Sequence, residues 1–266
     1  MTSTPVRAHR PGWFAAVAVL GLAVALAFLF LPVIGILADV APGDLVSRLD
    51  DPASLDALGL SLETTAISLA LIVALGTPTA YLLATRRFRG RSVVETVLEL
   101  PLVLPPAVAG IGLLAGFGPQ GLLGSALDRA GLGIALTTAG VVVAQTFVAS
   151  PFYLRQAQAA FAAVDPALVE ASRTLGAGEA ATFARVMVPV AAGGLVTGAA
   201  LAWGRALGEF GATLIVAGSF RGVTQTAPLA IFASFATDFT AALALSAVLL
   251  AVSAAVLLGV KLIALR

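Results

Sequence analysis

The sequence predicts an all-α, polytopic membrane protein of six transmembrane helices with both termini in the cytoplasm, and three observations predict it. Hydrophobic residues make up 59% of the 266 and charged residues only 11%, against about 25% charged in an average soluble domain. Mean hydropathy is +1.04. Six apolar runs approach the ~20 residues needed to span a bilayer, and backbone polar groups inside a membrane are satisfied only when such runs are helical. Finally, eleven of the fifteen basic residues (Arg7, Arg10, Arg86, Arg87, Arg89, Arg91, Arg155, Arg173, Arg185, Lys261, Arg266) fall on one side of the runs. Arg48, Arg129 and Arg221 fall on the other side, and Arg205 lies inside the fifth run. The excess of Lys and Arg marks the cytoplasmic side.

The first segment, 13–37, follows Arg7 and Arg10 like a signal peptide. Its apolar stretch far exceeds the ~7–15 residues of a signal core, so it is read as a retained helix. An outward loop, 38–59, carries Asp39, Asp44, Asp50, Asp51 and Asp56 and leads into the second segment, 60–84.

The third segment, 98–117, opens as LELPLVLPPAVAGIGLL. Pro101 and Pro105 share one helix face and Pro106 follows; each removes a backbone donor and bends the helix. Irregular backbone is tolerated in a membrane where it is buried or lines a cavity. Pro101, Pro105 and Pro106 are therefore candidates for a translocation pathway, the alternative being a kink that only shapes packing.

A turn-rich stretch, GPQGLLGSALDRAGLG, precedes the fourth segment, 134–154. The fifth, 190–218, contains WGRALGEFGATLIVAG. Gly204 and Gly208 form a GxxxG face suited to close helix contact. Arg205 and Glu209, four residues apart, can pair along the helix. Charges at this depth are costly and face a cavity or a partner. They are read with Thr213 as pathway or gate residues, against a self-neutralising pair that stabilises the bundle. The sixth segment is 241–264.

Composition also excludes chemistry. There is no cysteine, and the one histidine, His9, precedes the first span. These counts argue against thiolate or His-ligated metal sites and against a membrane-embedded protease. The net charge of +1 gives no reason to expect nucleic acid. No GxxxxGK[ST] loop exists to cradle nucleotide phosphates, so no cofactor is expected on this chain and any ATP chemistry belongs to a partner.

Between the fourth and fifth spans, a cytoplasmic loop at about 156–189 contains EASRTLGAGEAATFARVMVP. Asp165 before Pro166 is a strong helix start. Leu168, Ala171 and Leu175 form an apolar stripe, and Gly176 stands where a C-cap glycine closes the helix. A second short helix is expected from Glu179 to just before Pro189. Helix signals alone fit an amphipathic loop lying on the membrane surface.

The spacing is more specific than the helix signals. Glu170-Ala171-Ser172, three residues, Gly176, nine residues, Val186, one residue, and Val188-Pro189 resembles the EAA motif of ABC importer permeases. Ser172 replaces the second alanine, and Val186 and Val188 replace Ile and Leu. The resemblance implies a type I ABC importer permease architecture in a single membrane domain, 1–266. It implies that the loop is a coupling helix docking on a separate ATPase subunit that binds ATP and Mg²⁺, with Glu170 and Gly176 at the dock. LPLVLPPAVAG, ARVMVPVAAGGLVTGAALAWGRALGEFGATLIVAG and TQTAPLAIF further resemble the molybdate/tungstate branch of these permeases, with the sulfate branch a close relative. That branch implies a homodimer in the bacterial inner membrane, served by an extracytoplasmic oxyanion-binding protein. An ion-coupled secondary transporter using Glu209 is the alternative from another class; it has no reason to keep the EAA spacing.

Overall fold

The computed structural model describes residues 13–40, Gly43 and 51–264, and every regular element among them is helical. Arg7, His9, Arg10, Asp44, Arg48, Asp50 and Arg266 lie outside the described residues, as does the side chain of Lys261. The elements are α1 (Trp13–Ala38), α2 (Pro52–Thr85), α3 (Arg91–Val103), α4 (Pro106–Phe117), α5 (Gly124–Arg129) and α6 (Thr138–Ala162). They continue with α7 (Pro166–Thr174), α8 (Glu179–Leu207), α9 (Gly211–Ala217), α10 (Ala227–Phe235) and α11 (Phe239–Ala264).

α1, α2, α8 and α11 are each long and apolar enough to cross a membrane, and α3 with α4 is a fifth candidate if the bent pair is one span. α6, the fourth segment of the hydropathy reading, has the length at 25 residues but not the apolarity. Gln145, Arg155, Gln156 and Gln158 dilute it; Gln145 is buried against α2, where it meets the Ser68 hydroxyl, while Arg155 stays exposed.

α2 starts well before the expected residue 60. The Asp51 carboxylate accepts hydrogen bonds from the Ala53 N–H (3.3 Å) and the Ser54 hydroxyl (3.1 Å), and Pro52 occupies the first turn. Burial opposes ionisation of Asp51, but these hydrogen bonds outweigh it and hold the carboxyl below its ordinary value. Residues 52–59 are thus helix rather than outer loop. At 34 residues α2 is about 51 Å long, well beyond the ~30 Å hydrocarbon core.

The core is a close-packed trio of α2, α6 and α8 around Tyr153. Tyr153 is buried, and its phenol shares a 2.6 Å hydrogen bond with the Thr77 hydroxyl. Gly76 and Gly198 flank the ring: a Cβ at Gly76 would lie 2.7 Å from Tyr153 Cδ1, and one at Gly198 would lie 3.1 Å from Gln156 Cβ. Alanines at 80, 149, 157, 191, 202 and 206 fill the remainder. Small residues drive helix association in lipid through close packing, because apolar burial supplies no driving force there. The glycine pair that does this is Gly194 and Gly198, where Ala160 and Gln156 approach, whereas Gly204 has open space beside it. The expected close-contact role of Gly204 and Gly208 is therefore not met within one chain. α1 buries no residue along its length, and its Ile36, with Val40 just beyond it, packs against Leu243, Ala244 and Ala247 of α11.

Two hydropathy segments are not single straight helices. The third is broken at Leu104–Pro105, where α3 and α4 bend by 120°. The fifth ends as a helix at Leu207 and resumes as α9 at Gly211. Conversely, the helix expected to stop before Pro189 does not stop. Residues 183–187 form a π turn, with the Val188 N–H reaching Phe183 O, and α8 runs on through Pro189. A proline ring collides with the carbonyl one turn earlier in an α-helix; the wider π turn makes room for it.

Candidate coupling and permeation sites

α7 is built from purely local signals. Asp165 Oδ1 accepts the Ala167 N–H (2.9 Å) and Pro166 opens the helix. At the other end Gly176 has φ +83°, and two hydrogen bonds close the turn: Gly176 N–H to Arg173 O (2.9 Å) and Ala177 N–H to Ser172 O (3.1 Å). This is the glycine-terminated Schellman end. The apolar stripe is displayed rather than buried, with Leu168 and Ala171 exposed and Leu175 87% exposed. Nothing surrounds Gly176. Leu175 thus stands beside a left-handed turn with no covering element among the described residues.

The face is rigidly attached to the bundle. The Ser172 hydroxyl hydrogen-bonds the buried Thr182 hydroxyl (3.0 Å), joining α7 to α8. Arg86, at the end of α2, pairs with Glu179, the first residue of α8. Val169, Phe183 and Met187 pack into the main core, and Tyr81 stacks edge-on to Phe161 (5.8 Å) and Phe183 (4.8 Å). A cavity of about 370 Å³ opens beneath α7, lined by Tyr81, Phe161, Glu170, Arg173 and the Arg86–Glu179 pair. Val186 is half-buried in the π turn and Pro189 is exposed one turn later. The Ser172–Thr182 hydrogen bond thus ties α7 to α8 across the turn at 175–178.

A second constellation forms where the two broken helices meet. Gly211, at the start of α9, lies against Pro106, at the start of α4; a Cβ there would come within 2.5 Å of the proline ring. Arg205 Nη2 contacts Glu209 Oε2 at 2.7 Å, and Glu209 Oε1 accepts the Ala212 N–H at 2.8 Å. The Glu209 side chain is 1% exposed, whereas that of Arg205 is 29% exposed. The carboxylate therefore caps α9, where a negative group meets the positive helix end favourably, and it anchors a guanidinium that still reaches the surface. Thr213, one turn into α9, is buried, and its hydroxyl has no hydrogen-bond partner among the described residues. Pro105 and Pro106 are exposed, while Pro101 stays within α3, half-buried.

A model of the family described as "binding-protein-dependent transport system inner membrane component" matches residues 74–266. The chain belongs to that family.

This permease is 43% identical over 252 residues to the molybdenum transport system permease protein ModB of Mycobacterium bovis, covering 94% of this chain and 93% of the relative. It is 37% identical to the probable transport system permease protein NifC of Clostridium pasteurianum, over 88% of this chain and 82% of that one. A probable sulfate transport system permease protein of Chlorokybus atmophyticus is 34% identical, over 88% and 84% of the two chains. Among solved structures, a bacterial ABC transporter importing the acidic polysaccharide alginate superposes with a TM-score of 0.74 at 16% identity, covering 96% of each chain. The methionine ABC transporter MetNI, inward-facing, gives 0.63 at 19% identity, over 79% of this chain and 94% of that one. The protein is an ABC permease subunit, a multi-pass component of the inner membrane and a transporter rather than an enzyme.

The structure of the permease gathers the sequence candidates into two groups. Glu170, Ala171, Ser172, Gly176 and Val186 belong to one unit around α7 and the π turn, with Pro189 at its exit. Pro105, Pro106, Arg205, Glu209 and Thr213 meet at the paired breaks; Pro101 lies apart, inside α3. Sequence reasoning missed Thr182, Arg86 and Glu179 as the ties that hold the loop, and Gly211 as the seat of Pro106. The signal for a close glycine pair was present in GGLVTG, nearly three turns before the pair chosen.

Proposed function

We propose that this permease is the transmembrane subunit of an ATP-driven importer of a tetrahedral oxyanion, with molybdate or tungstate as cargo. It works as a homodimer in a six-span arrangement with both termini in the cytoplasm. A separate ATPase, which holds ATP and Mg²⁺, docks on the exposed face of α7 around Leu175 and Gly176. An extracytoplasmic binding protein delivers the oxyanion to the opposite side. Closure of the ATPase dimer pushes α7, the unbroken α8 passes the movement on as a rigid body, and the joint at Pro105–Pro106 and Gly208–Phe210 takes up the change. There Arg205, held by Glu209, presents a cation on the side of a passing anion.

The observation that carries the cargo assignment is the 43% identity to a molybdenum permease across 94% of the chain. The one that carries the coupling is the uncovered, rigidly tied α7. A sulfate importer is the second reading, favoured by the 34% identical relative from Chlorokybus atmophyticus. Glu209 as an ion site of a secondary transporter is disfavoured, because both carboxylate oxygens are engaged.

Uptake into proteoliposomes holding the permease, its ATPase and its binding protein tests this reading. Uptake that needs ATP and is blocked by tungstate but not by sulfate supports it. Equal competition by sulfate moves the cargo to the sister branch, and uptake driven by an ion gradient without ATP overturns the reading.

A further inference from the structure

The turn joining α2 to α3, Arg86-Arg87-Phe88-Arg89-Gly90-Arg91, holds four arginines, and the structure divides them. Arg86 is paired with Glu179 and Arg91 with Glu95 (3.0 Å). Arg87 and Arg89 are exposed and have no ion-pair partner among the described residues, and Phe88 between them is 40% exposed. Gly90, with φ +85°, turns the chain directly into α3.

α3 itself is two-faced. Its polar side is fixed to α6: Gln158 donates to Glu95 Oε1 (2.8 Å), and Arg155 Nε contacts Glu99 Oε1 (2.9 Å). Its other side presents Val93, Val97 and Leu100 at i, i+4 and i+7, exposed by 66%, 56% and 43%, with Val103 beyond at 77%. A basic, aromatic-bearing turn followed by an apolar stripe on one element matches the order of a phospholipid, charged group first and acyl chain after.

We infer that residues 87–103 form a binding site for an anionic phospholipid of the cytoplasmic leaflet. The headgroup phosphate lies between the Arg87 and Arg89 guanidiniums, Phe88 sits at the interface, and an acyl chain lies along Val93, Val97 and Leu100. The occupant is a lipid rather than the ATPase because the apolar stripe continues the basic turn toward Val103 along a candidate span. The charge is complementary to the anionic inner leaflet. Arg86, the neighbour of this site, holds the first residue of α8, so the headgroup stands beside the coupling loop.

The test uses the assembled complex in bilayer discs of phosphatidylcholine with and without phosphatidylglycerol, with lipid retained after detergent washing measured by mass spectrometry. An arginine near the surface is worth about fivefold in affinity. Phosphatidylglycerol retention should fall roughly 30-fold in R87Q/R89Q and stay near wild type in R87K/R89K, with phosphatidylcholine unchanged in both. If the double variant fails to assemble, R87Q and R89Q carry the test singly, at about fivefold each. Equal retention by the glutamine variants overturns the site. So does loss of the ATPase subunit from R87Q/R89Q in phosphatidylcholine alone, which would make the patch a protein dock.

Discussion

Val188, ahead of Pro189, keeps helical angles (φ −64°, ψ −48°), whereas Leu104, ahead of Pro105, is extended (φ −70°, ψ 128°). Both precede a proline, and a proline disfavours the α conformation in its predecessor. At Pro189 a π turn absorbs the ring and one missing donor, so the helix passes through. At Pro105 the same remedy is closed, because Pro105 is itself followed by a proline; it stays extended (φ −55°, ψ 140°) and the chain turns by 120°. One residue type thus makes a strut in the first half of α8 and a joint between α3 and α4. The proposed coupling would use the strut, and the proposed pathway the joint.

The comparison breaks most visibly at the joint. Replacing Glu209 with alanine removes the partner of Arg205 and the cap of Ala212 together. Arg205 is partly exposed, so the loss is on the order of 2 kcal/mol, read as a drop in the thermal midpoint of the purified complex. Glu209→Gln, which keeps an acceptor for Ala212, should lose less. Next in size is the double change Pro105→Ala, Pro106→Ala, which restores two backbone donors. Spin labels at Val97 and Val108 should report a straighter α3–α4, and uptake should fall while ATP hydrolysis persists. An unchanged label distance would show that packing against α6 and α9, not the prolines, sets the bend. The smallest effect is expected at Pro189→Ala: the helix already passes through, so stability should move by no more than ~0.5 kcal/mol and uptake per ATP should stay the same.

The contrast also explains what could be read in advance. α7 was legible to the residue because its signals are local: an acid before a proline, and a glycine where the chain turns left-handed. The strut was hidden because Pro189 is a stop signal in an α-helix, and nothing local announces a π turn before it. The start of α2 was hidden because hydropathy registers apolarity, not helicity, and residues 52–59 include Ser54 and Asp56. Gly194–Gly198 and Gly204–Gly208 have the same pattern, and only the position of α6 decides which pair is pressed. The Arg205–Glu209 pair was foreseen from its spacing; the capping of α9 by the same carboxylate needed the break, which the apolar run conceals.

The central claim is that α7 is the point where ATP hydrolysis enters the permease. The most direct measurement is the number of oxyanions imported per ATP hydrolysed by the reconstituted complex carrying Gly176→Trp. Space around Gly176 is open, so the change strains the left-handed turn and obstructs the docking face without disturbing the bundle. Normal membrane insertion, retained ATP hydrolysis and a collapse of import per ATP are expected. An unchanged ratio in the Gly176→Trp complex would contradict that role for α7.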